Sequence, residues 1–184
     1  MKQFFILSIG LAFLAFIATV QSHDLDNRIV STGSWSYSLT LTTTASENDI
    51  WLLWEDVENW KDYDTVLQYS YLENDADFEV GATGYVKARK APKTKFELIA
   101  VDPGKSFIES LKLPFWNTLE LKRRVVRLTS KQVAFTHEVE FKGPLKRLMY
   151  GLLAKRFKKD LKMVMINMKE LAEAQNTTNT REIN

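Results

Sequence analysis

Two nitrogen-bearing side chains interrupt the apolar faces of what reads as a long hairpin. Leu119, Leu121, Arg123 and Val125 take alternate positions before Thr129-Ser130-Lys131, and Val133, Phe135, His137, Val139 and Phe141 do the same after it. A period of two puts each set on one face of a strand, and an odd-length turn keeps both apolar faces on the same side. Two registers satisfy the pattern. One sets Arg123 opposite His137; the other pairs Lys122 with Glu140 and Arg124 with Glu138, moving Arg123 to a diagonal of His137. In either register an apolar wall carries one guanidinium and one imidazole. Arginine offers a fixed fork of donors and histidine changes charge near neutral pH, so the pair suits the polar head of an amphipathic ligand, with a carboxylate as the expected form. The competing assignment sends Arg123 to the rim and gives His137 a buried partner.

Little other chemistry is available. The chain has no cysteine, which excludes thiolate nucleophiles, sulfur-ligated zinc and iron–sulfur clusters. Its two histidines, His23 and His137, are too few for a histidine-rich metal site, and no metal is expected. There is no Gly-x-Ser-x-Gly elbow, phosphate loop, dinucleotide fingerprint or His-Glu-x-x-His. Glu73, Asp75, Asp77 and Glu79 lack the spacing of a calcium loop and read as a solvated turn. With 25 Lys and Arg against 23 Asp and Glu, the net charge of +2 lacks the footprint of a strongly basic nucleic-acid binder, and no nucleic-acid partner is expected. If the protein were an enzyme, His137 would be its only histidine placed to act as general acid or base.

The elements that would position this hairpin follow from the period of the apolar residues. Residues 1–22 carry one charge, Lys2, ahead of the apolar run FFILSIGLAFLAFIATV, with Val20 and Ser22 at minus three and minus one of a cut before His23. This predicts a secretory signal peptide and a periplasmic or secreted product; an uncleaved N-terminal anchor facing the periplasm is the alternative. Residues 23–34 read as a linker, 35–174 as one domain and 175–184 as a flexible tail. Tyr37, Leu39 and Leu41 alternate with polar residues as a first strand, and Ser46 with Asp49 resembles a capping box opening a short helix. A second short turn holds Trp60 and Tyr63. Six further strands run from Tyr69 to Phe141, separated by turn residues. Gly143-Pro144 then opens a long helix whose stripe is Tyr150, Leu153, Phe157, Leu161, Val164, Met168 and Leu171.

This order is α+β, and several stretches make it resemble a known superfamily. They are Trp54 to Asp64 (WEDVENWKDYD), Gly81 to Gly84 (GATG), Val101 to Phe107 (VDPGKSF), and the segment from Phe141 to Leu171, in which Gly143 opens the final helix. Together they resemble the helix-grip fold of the START-like superfamily, often labelled SRPBCC, and within it the polyketide cyclase/dehydrase and lipid-transport group. The resemblance implies a curved seven-stranded antiparallel sheet wrapped around a long C-terminal helix, with two short helices after strand one. It further implies an apolar ligand held between sheet and helix, and no cofactor.

On that reading the candidate lining is Leu39 from the first strand, Trp54 and Trp60 from the short helices, and Tyr85 from the middle strands. Leu121, Arg123, Phe135, His137 and Val139 come from the last hairpin, and Phe157, Leu161, Val164 and Met168 from the closing helix. The expected function is non-catalytic binding or transport of a hydrophobic or amphipathic small molecule by a monomer. The alternative is a polyketide cyclase-like enzyme using the same cavity. Lys146, Arg147, Lys155, Arg156, Lys158, Lys159 and Lys162 give the last helix a basic face, which reads as a solvated surface or, as the alternative, as a peripheral contact with anionic lipid. Trp116, in the turn after Pro114-Phe115, is a second candidate for membrane contact or for the cavity mouth.

Overall fold

The structure is a computed structural model that describes residues 28–182. The leader expected at 1–22 and the first part of the expected linker lie outside the described residues. Eight antiparallel strands form one sheet: β1 (Val30–Gly33), β2 (Ser36–Thr43), β3 (Leu67–Leu72), β4 (Thr83–Ala88), β5 (Lys93–Asp102), β6 (Ser106–Leu113), β7 (Asn117–Thr129) and β8 (Gln132–Lys142). Their spatial order is β1-β2-β8-β7-β6-β5-β4-β3, so β3 to β8 run as a meander and β2 closes on β8. Between β2 and β3 lie α1 (Glu47–Glu55) and a 3-10 turn (Val57–Asp62); α2 (Lys146–Glu182) follows β8.

The local sequence accounts for the main joints. Ser46 Oγ accepts from the Asp49 N–H at 3.1 Å while Asp49 Oδ2 accepts from the Ser46 N–H at 2.8 Å, a complete capping box despite the shorter acid. The Trp60 indole donates to the Trp54 carbonyl at 2.8 Å, which fastens the 3-10 turn to α1. Asn117 does the same work at the far end. Its Nδ2 donates to the carbonyls of Pro114 and Phe115 at 2.8 and 3.0 Å, and its Oδ1 accepts the Leu145 N–H at 2.9 Å. One side chain thereby braces the β6–β7 turn and satisfies an orphan donor at the entry to α2.

Two expectations need correction. Val30–Gly33, expected within a linker, forms an edge strand that pairs with β2 through Val30–Ser38 and Ser31–Tyr37, so the sheet has eight strands and not seven. All four residues are exposed, so no buried face imprints a period on them. The closing helix also runs past Ala174 to Glu182, into the expected tail. That tail contains neither Gly nor Pro, and extending an existing helix costs far less than nucleating one.

The apolar stripe of α2 packs on β2, β8 and α1. Tyr37, Leu39, Ile50, Trp54, Phe135, Met165 and Met168 are fully buried in that half of the interior. Gly143 sets the angle at which α2 leaves the sheet. Its φ is +108°, and a Cβ there would lie 2.7 Å from the Asn117 Cα. Gly143→Ala should therefore destabilise the fold by about 2 kcal/mol or more, read as a lowered midpoint in thermal unfolding.

Candidate ligand-binding site

Because α2 rests on the β2 and β8 side, the concave face of β4 to β7 meets it across a gap. That gap is a cavity of about 730 Å³, within the roughly 300–1,000 Å³ typical of small-molecule sites. Its walls are mostly apolar: Val86, Leu111, Leu119, Leu121 and Val139 from the sheet, and Met149, Leu153, Phe157, Leu161 and Val164 from α2. Exposed lining residues mark its mouth, which lies between Pro92 and Lys93 at the start of β5, Lys112 and Pro114 around the end of β6, and Leu152 and Arg156 on the helix.

The buried end of the cavity is polar. Register places Arg123 directly opposite His137, and Phe107 opposite Arg123 on the other side. The Arg123 guanidinium lies 5.0 Å from the ring centroids of both Trp60 and Phe107. One strand away and one pair along, Glu109 is 1% exposed and holds Oε2 3.3 Å from Arg123 Nη2. This ion pair uses one nitrogen of the fork. Beyond that contact, Arg123 Nε and Nη1, His137 Nε2 and the Tyr63 hydroxyl have no hydrogen-bond partner among the described residues. Each such buried atom costs about 1–3 kcal/mol.

Burial also sets the charges. Desolvation pushes the Glu109 carboxyl up to about 7, against the pull of Arg123 and with a further push from Asp64. Asp64, on the cavity wall, is raised by burial to about 6 although the Val66 N–H donates to it at 3.1 Å. His137 is held well below its usual value by burial and then by the nearby guanidinium, so it is neutral and weakly basic. The single fixed positive charge is thus offset by two carboxyls, and the pole presents donors and acceptors together.

No family model matches the sequence, and no curated protein does. Solved structures do. A START superfamily protein from Mycobacterium smegmatis superposes with a TM-score of 0.56 at 12% identity, covering 76% of this chain and 95% of that one. Ara h 8.0201 gives 0.53 at 10% identity, covering 72% and 96%. A hypothetical protein from Helicobacter pylori gives 0.61 at 8% identity, covering 79% and 88%. This chain has the START-like helix-grip fold. At these identities the likeness speaks for the fold alone.

The helix-grip geometry sorts the residues singled out from sequence. Trp60, Leu121, Arg123, His137, Val139, Phe157, Leu161 and Val164 line the cavity. Leu39, Trp54, Phe135 and Met168 do not. They belong to the filled half of the interior, where α1 and α2 press on the sheet, and Trp54 lies edge-on to Phe107 at 5.7 Å. Tyr85 is on the wrong face. Gly84 and Val86 are the buried positions of β4, and Tyr85 instead lies against Tyr71 at 5.7 Å, beneath Lys93 Nζ at 3.8 Å. The methionine that lines the cavity is Met149, one turn into the helix.

Glu109 and Asp64 were missed. The signal for Glu109 was present in the alternation Phe107-Glu109-Leu111, which puts a carboxylate on the same face as two apolar residues. A carboxyl raised in the folded state stabilises the fold fully below its ordinary value of 4.5, and that contribution is lost as pH rises through about 7. Unfolding free energy should fall by about 3 kcal/mol across that window because of Glu109. In Glu109→Gln, denaturant titrations at a series of pH values should show this decline removed, leaving the smaller decline from Asp64 at lower pH and the opposing rise from His137, whose depressed basicity adds stability as pH climbs through its ordinary value.

Proposed function

We propose that this protein binds a hydrophobic or amphipathic small molecule in the cavity between sheet and helix and does not change it chemically. The observation that carries the reading is an apolar cavity with a buried polar pole whose donors and acceptors lack protein partners. Burying an alkyl chain against these walls gains about 0.8 kcal/mol per CH₂, which offsets the cost of association only for chains of moderate length or more. A ligand hydroxyl or amide can accept from Arg123 Nε or Nη1 and donate to Glu109 or His137, so it relieves buried groups that the protein leaves unsatisfied. A carboxylate would have to share the one buried guanidinium with Glu109 and Asp64, and like-charge repulsion disfavours it. The proposed ligand is therefore lipid-like or polyketide-like with a neutral polar end.

The cyclase-like alternative needs His137 as a proton acceptor. Its depressed basicity, with burial first and Arg123 second as the causes, weakens that role. Export remains part of the proposal: the leader-like pattern of residues 1–22 supports a periplasmic or secreted carrier, a setting in which a domain without cysteine is indifferent to oxidation.

Titration with the neutral fluorophore N-phenyl-1-naphthylamine tests the binding reading. The expected result is saturable, blue-shifted emission that fatty alcohols compete away at least tenfold better than fatty acids of equal chain length at pH 7. Leu121→Trp, which fills the cavity, should lower probe affinity at least tenfold. A folded wild-type protein that binds no apolar probe would overturn the proposal.

A further inference from the structure

A second surface adjoins the mouth of the cavity. Pro114 and Leu152 line the opening, and directly beyond them the chain exposes Phe115 and Trp116 in the β6–β7 turn, Leu145 at the entry to α2 and Leu148 in its first turn. Trp116 is 89% exposed, Leu152 66% and Phe115 64%, unusual values for side chains of this size. Both turn residues have positive φ, 58° at Phe115 and 56° at Trp116, so the backbone holds the rings outward at a steric cost. Asn117 ties that turn to the helix entry, with one side chain bonded to Pro114, Phe115 and Leu145 at once. The two groups of apolar side chains therefore form one patch.

Charge identifies what fits it. Leu145, Leu148 and Leu152 recur at helical spacing on the outer side of α2, and Lys155 and Lys159 continue the same stripe. Lys146 and Arg147 flank it, and Lys112 lies at the end of β6. No Asp or Glu occurs between residues 143 and 159. Lys146, Arg147, Lys155 and Lys159 enter no ion pair among the described residues. An aromatic and aliphatic tip ringed by unpaired cations matches the interface of a bilayer carrying anionic lipid, where the rings sit at headgroup depth and the cations meet the surface charge. Among the described residues no helix is long and apolar enough to cross a membrane.

We propose that the patch formed by Phe115, Trp116, Leu145, Leu148 and Leu152 docks on an anionic lipid surface and sets the cavity mouth against the bilayer. Ligand would then pass between membrane and cavity without crossing water. The passage of ligand rests on the binding reading, whereas the docking itself stands or falls separately from it.

The test is flotation with vesicles of phosphatidylcholine alone and of phosphatidylcholine with phosphatidylglycerol. It uses the wild type and two variants outside the cavity lining: Trp116→Asn/Leu148→Gln, with asparagine at ease at positive φ, and Lys146→Glu/Arg147→Glu. N-phenyl-1-naphthylamine titration without vesicles is run on all three. Wild type should float with the anionic vesicles only, each variant should partition at least about tenfold less, and probe binding should be unchanged in both. Failure of the wild type to float, or undiminished flotation of either variant, overturns the docking proposal whatever the probe shows. So does self-association of the wild type that is abolished by Trp116→Asn/Leu148→Gln without vesicle binding, which assigns the patch to a second copy of the chain. Loss of probe binding in wild type counts against the cavity reading and leaves the flotation result to judge the surface.

Discussion

One helix does not fill the hollow of an eight-stranded sheet. The apolar stripe of α2 is about wide enough to cover β2 and β8, and the capped helix α1 and the 3-10 turn complete the packing on that side. The fully buried side chains of that half, among them Tyr37, Leu39, Trp54 and Met168, stabilise the fold and leave the other half of the concave face uncovered. Protein interiors are close-packed wherever side chains can reach one another, so a cavity of about 730 Å³ reflects this geometric mismatch. The joint at Gly143 and Asn117 preserves it, because it fixes the direction in which α2 departs from β8.

The polar pole follows from the same geometry. Arg123, Glu109 and His137 occupy inward positions of three neighbouring strands, where the period of two would otherwise place aliphatic residues. An apolar triad there would pack better and cost less, since a buried ion pair rarely outperforms hydrophobic replacements. What the polar residues contribute is orientation. The rings of Trp60 and Phe107 each lie 5.0 Å from the guanidinium and Glu109 engages one nitrogen, so the remaining donors are held in place. Preorganised donors and acceptors at the closed end of an apolar cavity select one orientation of an amphipathic guest.

Much of this was legible where the pattern has a strong physical cause. Seven strands, the capping box at Ser46 and the face shared by Leu121, Arg123, His137 and Val139 all follow from periodicity and turn chemistry, and the register with Arg123 opposite His137 was one of two that parity allowed. Residues on α2 sorted less cleanly. Phe157, Leu161 and Val164 line the cavity while Met168, on the same stripe, is core, because where the filled half ends depends on tertiary packing and leaves no trace in spacing. Tyr85 was placed on the inner face, although Gly84 and Val86 on either side of it are the buried positions of β4. Glu109 was overlooked because a lone acid in a strand ordinarily marks the solvent face; here its neighbours Phe107 and Leu111 share its face and both are buried.

The most direct measurement follows the Arg123 side-chain Nε–H resonance by NMR as 1-decanol is added. The account predicts that this signal shifts strongly and saturates together with the methyl resonances of Leu121, Val139 and Val164, as the hydroxyl reaches the guanidinium and the chain fills the space behind it. Shifts confined to surface residues, with the Arg123 signal unmoved at saturating alcohol, would contradict it.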